Sequence, residues 1–92
     1  MTVLTNARVV TPRGVLEPGW VSVAGGRIAD IGTGAAPAGA HDDLGGAWLL
    51  PGFIDLHVHG GGGHDVTASP AAMAGAARFH LTHGTTRMLV SL

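Results

Sequence analysis

Pro51-Gly52-Phe53-Ile54-Asp55-Leu56-His57-Val58-His59-Gly60-Gly61-Gly62-Gly63-His64-Asp65 reads as a strand that runs straight into a glycine-rich loop. Residues two apart in a strand share a face, so Asp55, His57 and His59 are expected on one side and Ile54, Leu56 and Val58 on the other. Two imidazoles then converge on one point. Neutral imidazole is the commonest side-chain ligand for a divalent metal, and His57 and His59 therefore read as half of a metal site. A hydrogen-bonded pair on a sheet face would explain an isolated His-x-His. It does not call for Pro-Gly before the strand, an Asp two positions before the first His, and four glycines after the second. Those glycines let the backbone turn sharply and approach a substrate without a Cβ in the way.

Downstream, Ser69-Pro70 is a helix start: the serine can accept a backbone N–H as N-cap, and proline at the first helical position gives up no needed donor. The helix is predicted to run to about Thr82 or His83, with Ala72, Ala76, Phe79 and His83 as its buried stripe and Gly84 as its C-terminal cap. Thr85 to Leu92 is β-branched and apolar, which suits a second, parallel strand and completes one βαβ unit. His80 and His83 are three apart on the helix and could share a face. A crossover helix carries them away from the strand ends, so neither is assigned a role in chemistry. His64 and Asp65 are read as ordering the loop rather than touching a substrate.

Upstream, the pattern is that of β-structure. Val3 to Val10 is a strand-like run halted by Pro12, and Trp20 to Ala24 leads through Gly25-Gly26 into Arg27 to Ile31, the signature of a two-residue hairpin. Ile28 and Ile31 break strict alternation, predicting a bulge near Ala29. Gly32 to Ala40 reads as a surface loop, followed by short strands at His41 to Leu44 and Gly45 to Leu50. His41-Asp42-Asp43 is taken as a solvated polar turn.

The net charge of −1 and the five scattered arginines offer no basic stripe, which argues against nucleic acid or an anionic membrane as partner. No cysteine is present, so neither disulfides nor thiolate metal sites arise. Residues 1–6 lack the pattern of a signal peptide and no apolar run approaches the ~20 residues of a membrane helix, so a cytoplasmic location is expected.

The stretch from Pro51 to His59 resembles the first barrel strand of the amidohydrolase superfamily, and the run His59-Gly60-Gly61-Gly62-Gly63 with Asp65 close behind is most similar to its N-acetylglucosamine-6-phosphate deacetylase members. The resemblance implies an α/β fold: the N-terminal part of a metal-dependent (β/α)8 (TIM) barrel, residues 51–92 being its first strand–helix–strand, preceded by strands of a small β-sandwich domain in residues 1–50. Such a barrel needs about 250 residues. With an apolar run from Arg87 to Leu92 at its end, the chain is expected to be a truncated part of an enzyme, inactive alone.

The resemblance also implies that His57 and His59 bind a divalent metal, zinc foremost, with iron, manganese or cobalt as alternatives. Keeping both histidines, where some members carry Gln and Asn, would suit a second metal ion. Further ligands and the general acid/base would lie beyond residue 92. The implied reaction removes acetate from N-acetylglucosamine 6-phosphate, an amino-sugar phosphate, in a full-length homodimer. A dihydroorotase- or hydantoinase-like cyclic amidase is the alternative within the superfamily, and a non-catalytic β-module the alternative outside it. The absence of Arg or Lys between His59 and Arg78 favours the sugar phosphate over a carboxylate substrate, and the bare glycines would leave room for a pyranose beside the metal.

Overall fold

β-Branched residues fill Thr2–Thr11, which forms β1, and Pro12 ends it in a tight reversal into β2, Gly14–Ala24. The computed structural model describes all of residues 1–92, divided into two units, Met1–Pro51 and Gly52–Leu92. In the first unit β1 and β2 pair antiparallel, and β3, Arg27–Thr33, returns along β2. Gly25 and Gly26 adopt φ of +58° and +73°, the doubly left-handed turn that the strand twist favours. Ser22 faces Asp30 and Val23 faces Ile28, which leaves Ala29 as the bulged residue expected from the broken alternation.

Two short strands, β4 (Ala40–Asp43) and β5 (Trp48–Leu49), run parallel to β1 on its other edge. The sheet order is β3-β2-β1-β4, with β5 also on β1. Its core is Ala7, Val9 and Val21, against which Leu16, Val23, Leu44 and Leu49 pack. Between β4 and β5 the chain is turned by Asp43, whose Oδ1 accepts the Gly45 N–H at 2.8 Å and the Asn6 side-chain amide at 3.0 Å. Both bonds favour the charged carboxylate and hold its pKa below the ordinary value.

Three differences from the sequence reading have physical causes. Strand β2 begins at Gly14, not Trp20, because Val15 and Leu16 pair with Val10 and Val9. The register slips between the Val9–Leu16 and Ala7–Gly19 pairs, and the slip takes up Glu17 and Pro18, the latter having no N–H to give a ladder. Gly32 and Thr33, expected in a loop, end β3 because the Trp20 indole occupies the space where a Gly32 side chain would be. The unit is one five-stranded sheet, and the second layer that a sandwich requires is not among these residues.

The second unit pairs β6 (Phe53–Val58) in parallel with β9 (Thr85–Val90), joined through a two-strand hairpin, β7 (Gly60–Gly61) and β8 (His64–Asp65), and one helix, α1 (Pro70–Leu81). Pro51-Gly52 precedes the strand because a Cβ at Gly52 would overlap the Thr86 side chain of β9. Ser69 Oγ accepts the Ala72 N–H at 3.0 Å with Pro70 in the first turn. At the other end Thr82 is the cap residue, and Gly84, at φ +94°, donates its N–H to the Leu81 carbonyl at 3.1 Å. No helix is long and apolar enough to cross a membrane.

The helix buries only part of the stripe expected of it: Ala76 is fully buried and Ala72 half-buried, but Phe79 and His83 are not. Gly75 and Ala76 are its buried residues, whereas His83 is exposed and Phe79 is 40% exposed. The reason is that α1 packs on the glycine hairpin as well as on β9, so its contact line is set by a close approach at Gly75. On β6 the alternation survives only at Val58, which is buried; Ile54 and Leu56 are 63% and 69% exposed. With Leu89 they form an open apolar surface.

A polypeptide of these 92 residues is expected to self-associate through that surface. Replacing Ile54 and Leu56 with Glu should move sedimentation-velocity profiles towards monomer. Unchanged profiles would locate the association elsewhere.

Candidate metal centre

His57 is the penultimate residue of β6 and His59 lies one residue beyond its end, and the two rings meet edge to face with centroids 4.6 Å apart and planes at 76°. Their Nε2 atoms are 2.8 Å apart, so the N–H of one ring donates to the lone pair of the other. Two ligating nitrogens on a tetrahedral ion at 2.0–2.1 Å stand about 3.3 Å from each other. The pair needs to open by only about half an ångström to accept such an ion, and the donor set, two neutral imidazoles, suits zinc and its neighbours. His57 Nδ1 points the other way, to Ser91 Oγ at 3.1 Å.

Asp55, expected on the same face, does something else. Its Oδ1 accepts the His57 backbone N–H at 3.1 Å and so shapes the strand end that carries the ligands. No cluster of three or more His, Cys, Asp or Glu side chains forms in the structure. The two imidazoles are thus an incomplete coordination set, and an ion held tightly there takes its other donors from elsewhere.

The glycine run is a hairpin rather than an open loop. Gly62 and Gly63 turn it with φ of +58° and +84°, Gly60 pairs with Asp65 and Gly61 with His64, and Val66 closes it by donating to the His59 carbonyl at 3.1 Å. Against one side lies α1. His80 Nε2–H donates to the Gly60 carbonyl at 2.8 Å, and a Cβ at Gly62 would sit 2.8 Å from the Phe79 ring. In return the His64 imidazole lies over Gly75, 2.8 Å from where a Cβ would be. The glycines therefore admit the helix. At Gly61 and Gly62 the expected free space is filled by His80 and Phe79, and Gly63 is the hairpin residue whose Cβ direction is open.

Asp65 Oδ1 accepts the Thr67 hydroxyl at 2.7 Å and the Thr67 N–H at 2.8 Å. The hydroxyl bond first, and the backbone bond next, hold its carboxyl below the ordinary value. With His64 against the helix, both residues order the hairpin. His80 is the residue that sequence reasoning set aside and the structure restores: α1 does not carry it away but brings it onto the residue following His59. Ser91 was also missed. Both contacts join residues 20 and 34 positions apart, beyond any local pattern.

No protein-family model matches the chain. Among curated proteins, an allantoinase of Streptomyces avermitilis is 47% identical over 60 residues, 62% of this chain and 13% of that protein. An adenine deaminase of Dehalococcoides mccartyi is 38% identical over 91 residues, 98% of this chain and 15% of that protein. Among solved structures, the N-acetyl-D-glucosamine-6-phosphate deacetylase of Mycobacterium smegmatis superposes with a TM-score of 0.89 at 41% identity, over 100% of this chain and 27% of that one. A variant of that deacetylase, solved in complex with N-acetyl-D-glucosamine-6-phosphate, matches at 42% identity with the same TM-score. The chain thus spans less than a fifth of these curated relatives and about a quarter of the deacetylase.

Gly62→Ala should destabilise the second unit by about 2–3 kcal/mol, combining left-handed strain with displacement of Phe79, while Gly63→Ala should cost about 1–2 kcal/mol from strain alone. Chemical denaturation of both variants checks the difference, and equal losses would mean that the Phe79 contact is not limiting. Asp65, with its folded pKa depressed, stabilises the hairpin above the ordinary carboxylate pKa of about 3.9, and that contribution is lost as pH falls through the lower folded value. An NMR titration should place the Asp65 midpoint below that of a free Asp in the parent and nearer to it in Thr67→Val.

Proposed function

Since the chain belongs to the amidohydrolase superfamily and corresponds to an N-terminal portion of its members, we propose that His57 and His59 are two ligands of a divalent metal centre in an N-acetylglucosamine-6-phosphate deacetylase. The observation that carries the reading is the convergence of the two Nε2 atoms at a strand end in a chain 41% identical, along its whole length, to the Mycobacterium smegmatis deacetylase. The reaction is hydrolysis of the acetamide of N-acetylglucosamine 6-phosphate: water adds to the carbonyl carbon, the C–N bond breaks, and the nitrogen leaves as the amine of glucosamine 6-phosphate with acetate as the other product. A divalent ion, zinc foremost, supplies Lewis-acid activation of the carbonyl and of water.

The work of this chain's own residues is positional. Asp55 sets the backbone at His57, the Val66–His59 bond sets it at His59, and the hairpin clamped by His80 holds a fixed wall directly after the second imidazole. The wall's Gly63 and the N–H groups of its turn are what this segment offers to a polar substrate. In this reading residues 51–92 are the first strand–helix–strand of a (β/α)8 barrel, with the ligands at the strand's C-terminal end where such barrels carry their chemistry, and residues 1–50 are part of a small β-domain. The protein would act as a cytoplasmic homodimer on a small molecule, with no nucleic acid or membrane partner.

Relatives with names as different as allantoinase and adenine deaminase match this chain, over 62% and 98% of it, as a scaffold shared by several chemistries would. Substrate choice therefore has to be measured. In the full-length protein, replacing both His57 and His59 with Ala should lower bound metal by about one equivalent per chain, while His83→Ala, on an exposed ring, should leave it unchanged. Equal metal in the double variant and the parent would remove the site. Steady-state assays should give a higher kcat/KM for N-acetylglucosamine 6-phosphate than for dihydroorotate, hydantoins or N-acyl-amino acids, and the reverse order would remove the substrate while leaving the metal centre standing.

A further inference from the structure

Ser91 stands one residue beyond β9, and two contacts fix it there. Its N–H donates to the Val58 carbonyl at 2.8 Å, extending the β6–β9 ladder by one rung past the Val58–Val90 pair. Its Oγ lies 3.1 Å from His57 Nδ1. The backbone bond places the hydroxyl beside the imidazole through the sheet, so the side-chain contact does not depend on a mobile loop. His59 has no such partner on its other nitrogen: among its ring contacts only the bond to His57 is formed.

We propose that Ser91 is the positioning residue for His57, accepting its Nδ1–H and so presenting the Nε2 lone pair to a metal ion. This rests on the reading of His57 and His59 as ligands. An imidazole has one lone pair to give, and which nitrogen offers it is decided by the bond at the other. With the proton held at Nδ1 by Ser91, His57 Nε2 is the acceptor of the 2.8 Å contact and His59 Nε2–H the donor. An entering ion therefore meets one histidine already in its ligating tautomer. Only His59 must relinquish its proton at Nε2. The two ligands of the pair are unequal before metal arrives, and the inequality is built by a residue on the neighbouring strand. A hydroxyl also fixes the ring plane, since the Nδ1–H must lie towards Oγ for the bond to form.

The test uses the full-length protein, with zinc affinity read by competition against a chromophoric chelator and tautomers read from nitrogen chemical shifts of metal-free protein. Ser91→Ala should weaken zinc binding by about 10- to 100-fold, the range for loss of an outer-sphere partner, and Ser91→Thr, which keeps the hydroxyl and favours a strand, should stay within a few-fold of the parent. Metal-free parent should show His57 protonated at Nδ1. Zinc affinity unchanged in Ser91→Ala, or an Nε2–H tautomer for His57 in the parent, would overturn the proposal, and the second measurement stands even if Ser91→Ala fails to fold. Unchanged zinc content in His57→Ala would instead overturn the metal site itself, so the two failures are told apart.

Discussion

The hydrogen bond from His80 to the Gly60 carbonyl joins the one helix of the second unit to the residue that follows the second candidate ligand. Without it the hairpin's hydrogen bonds would be those of its own two short strands and of Val66, and only the packing of His64 and Phe79 would hold it to the helix. The bond explains the composition around it. A side chain at Gly61 or Gly62 would collide with His80 or Phe79, and one at Gly75 with His64, so close approach of hairpin and helix requires glycine on both partners. What reads in sequence as flexibility is, in the folded unit, a tightly filled joint.

That inversion shows what the sequence carried and what it did not. Local geometry was legible. The Gly25-Gly26 hairpin, the bulge at Ala29 and the Ser69 cap all follow from residues within a few positions of one another, where φ preferences and capping bonds act. The convergence of His57 and His59 was legible for the same reason, since period-two alternation is a local rule. The buried stripe of α1 was legible only in part, at Ala76 and not at Phe79 or His83. It depends on which neighbour the helix meets, and that neighbour, a hairpin of glycine and histidine, has no hydrophobic pattern to announce it. Asp55 likewise shares its strand face with the histidines by alternation, yet its carboxylate is satisfied by a backbone N–H two residues on.

The same separation bears on function. The strand, its turn and the helix start are properties that proteins of several activities can share, and the likeness of this span to an allantoinase, an adenine deaminase and a deacetylase is in keeping with that. The span brings two imidazoles, their hydrogen-bonded supports and one wall of glycine. Discrimination among substrates calls for polar and charged groups placed to meet a particular ligand, and between His59 and Arg78 the chain offers backbone N–H groups rather than cations.

In the first unit, β1 is hydrogen-bonded on one side to β2, its immediate successor, and on the other to β4 and β5, in pairs such as Thr2–Ala40 and Arg8–Trp48. The two sides form on different clocks. A hairpin closes on the microsecond scale, whereas pairing across some forty residues must first meet a larger loop-closure entropy. During synthesis the β1–β2–β3 meander can assemble as it emerges, but one edge of β1 stays open until Trp48 and Leu49 are free to reach it. The half-packed residues Leu44 and Leu49 are thus the last to join the Ala7, Val9 and Val21 core, and the exposure of the β1 edge to stray strand pairing ends only with them.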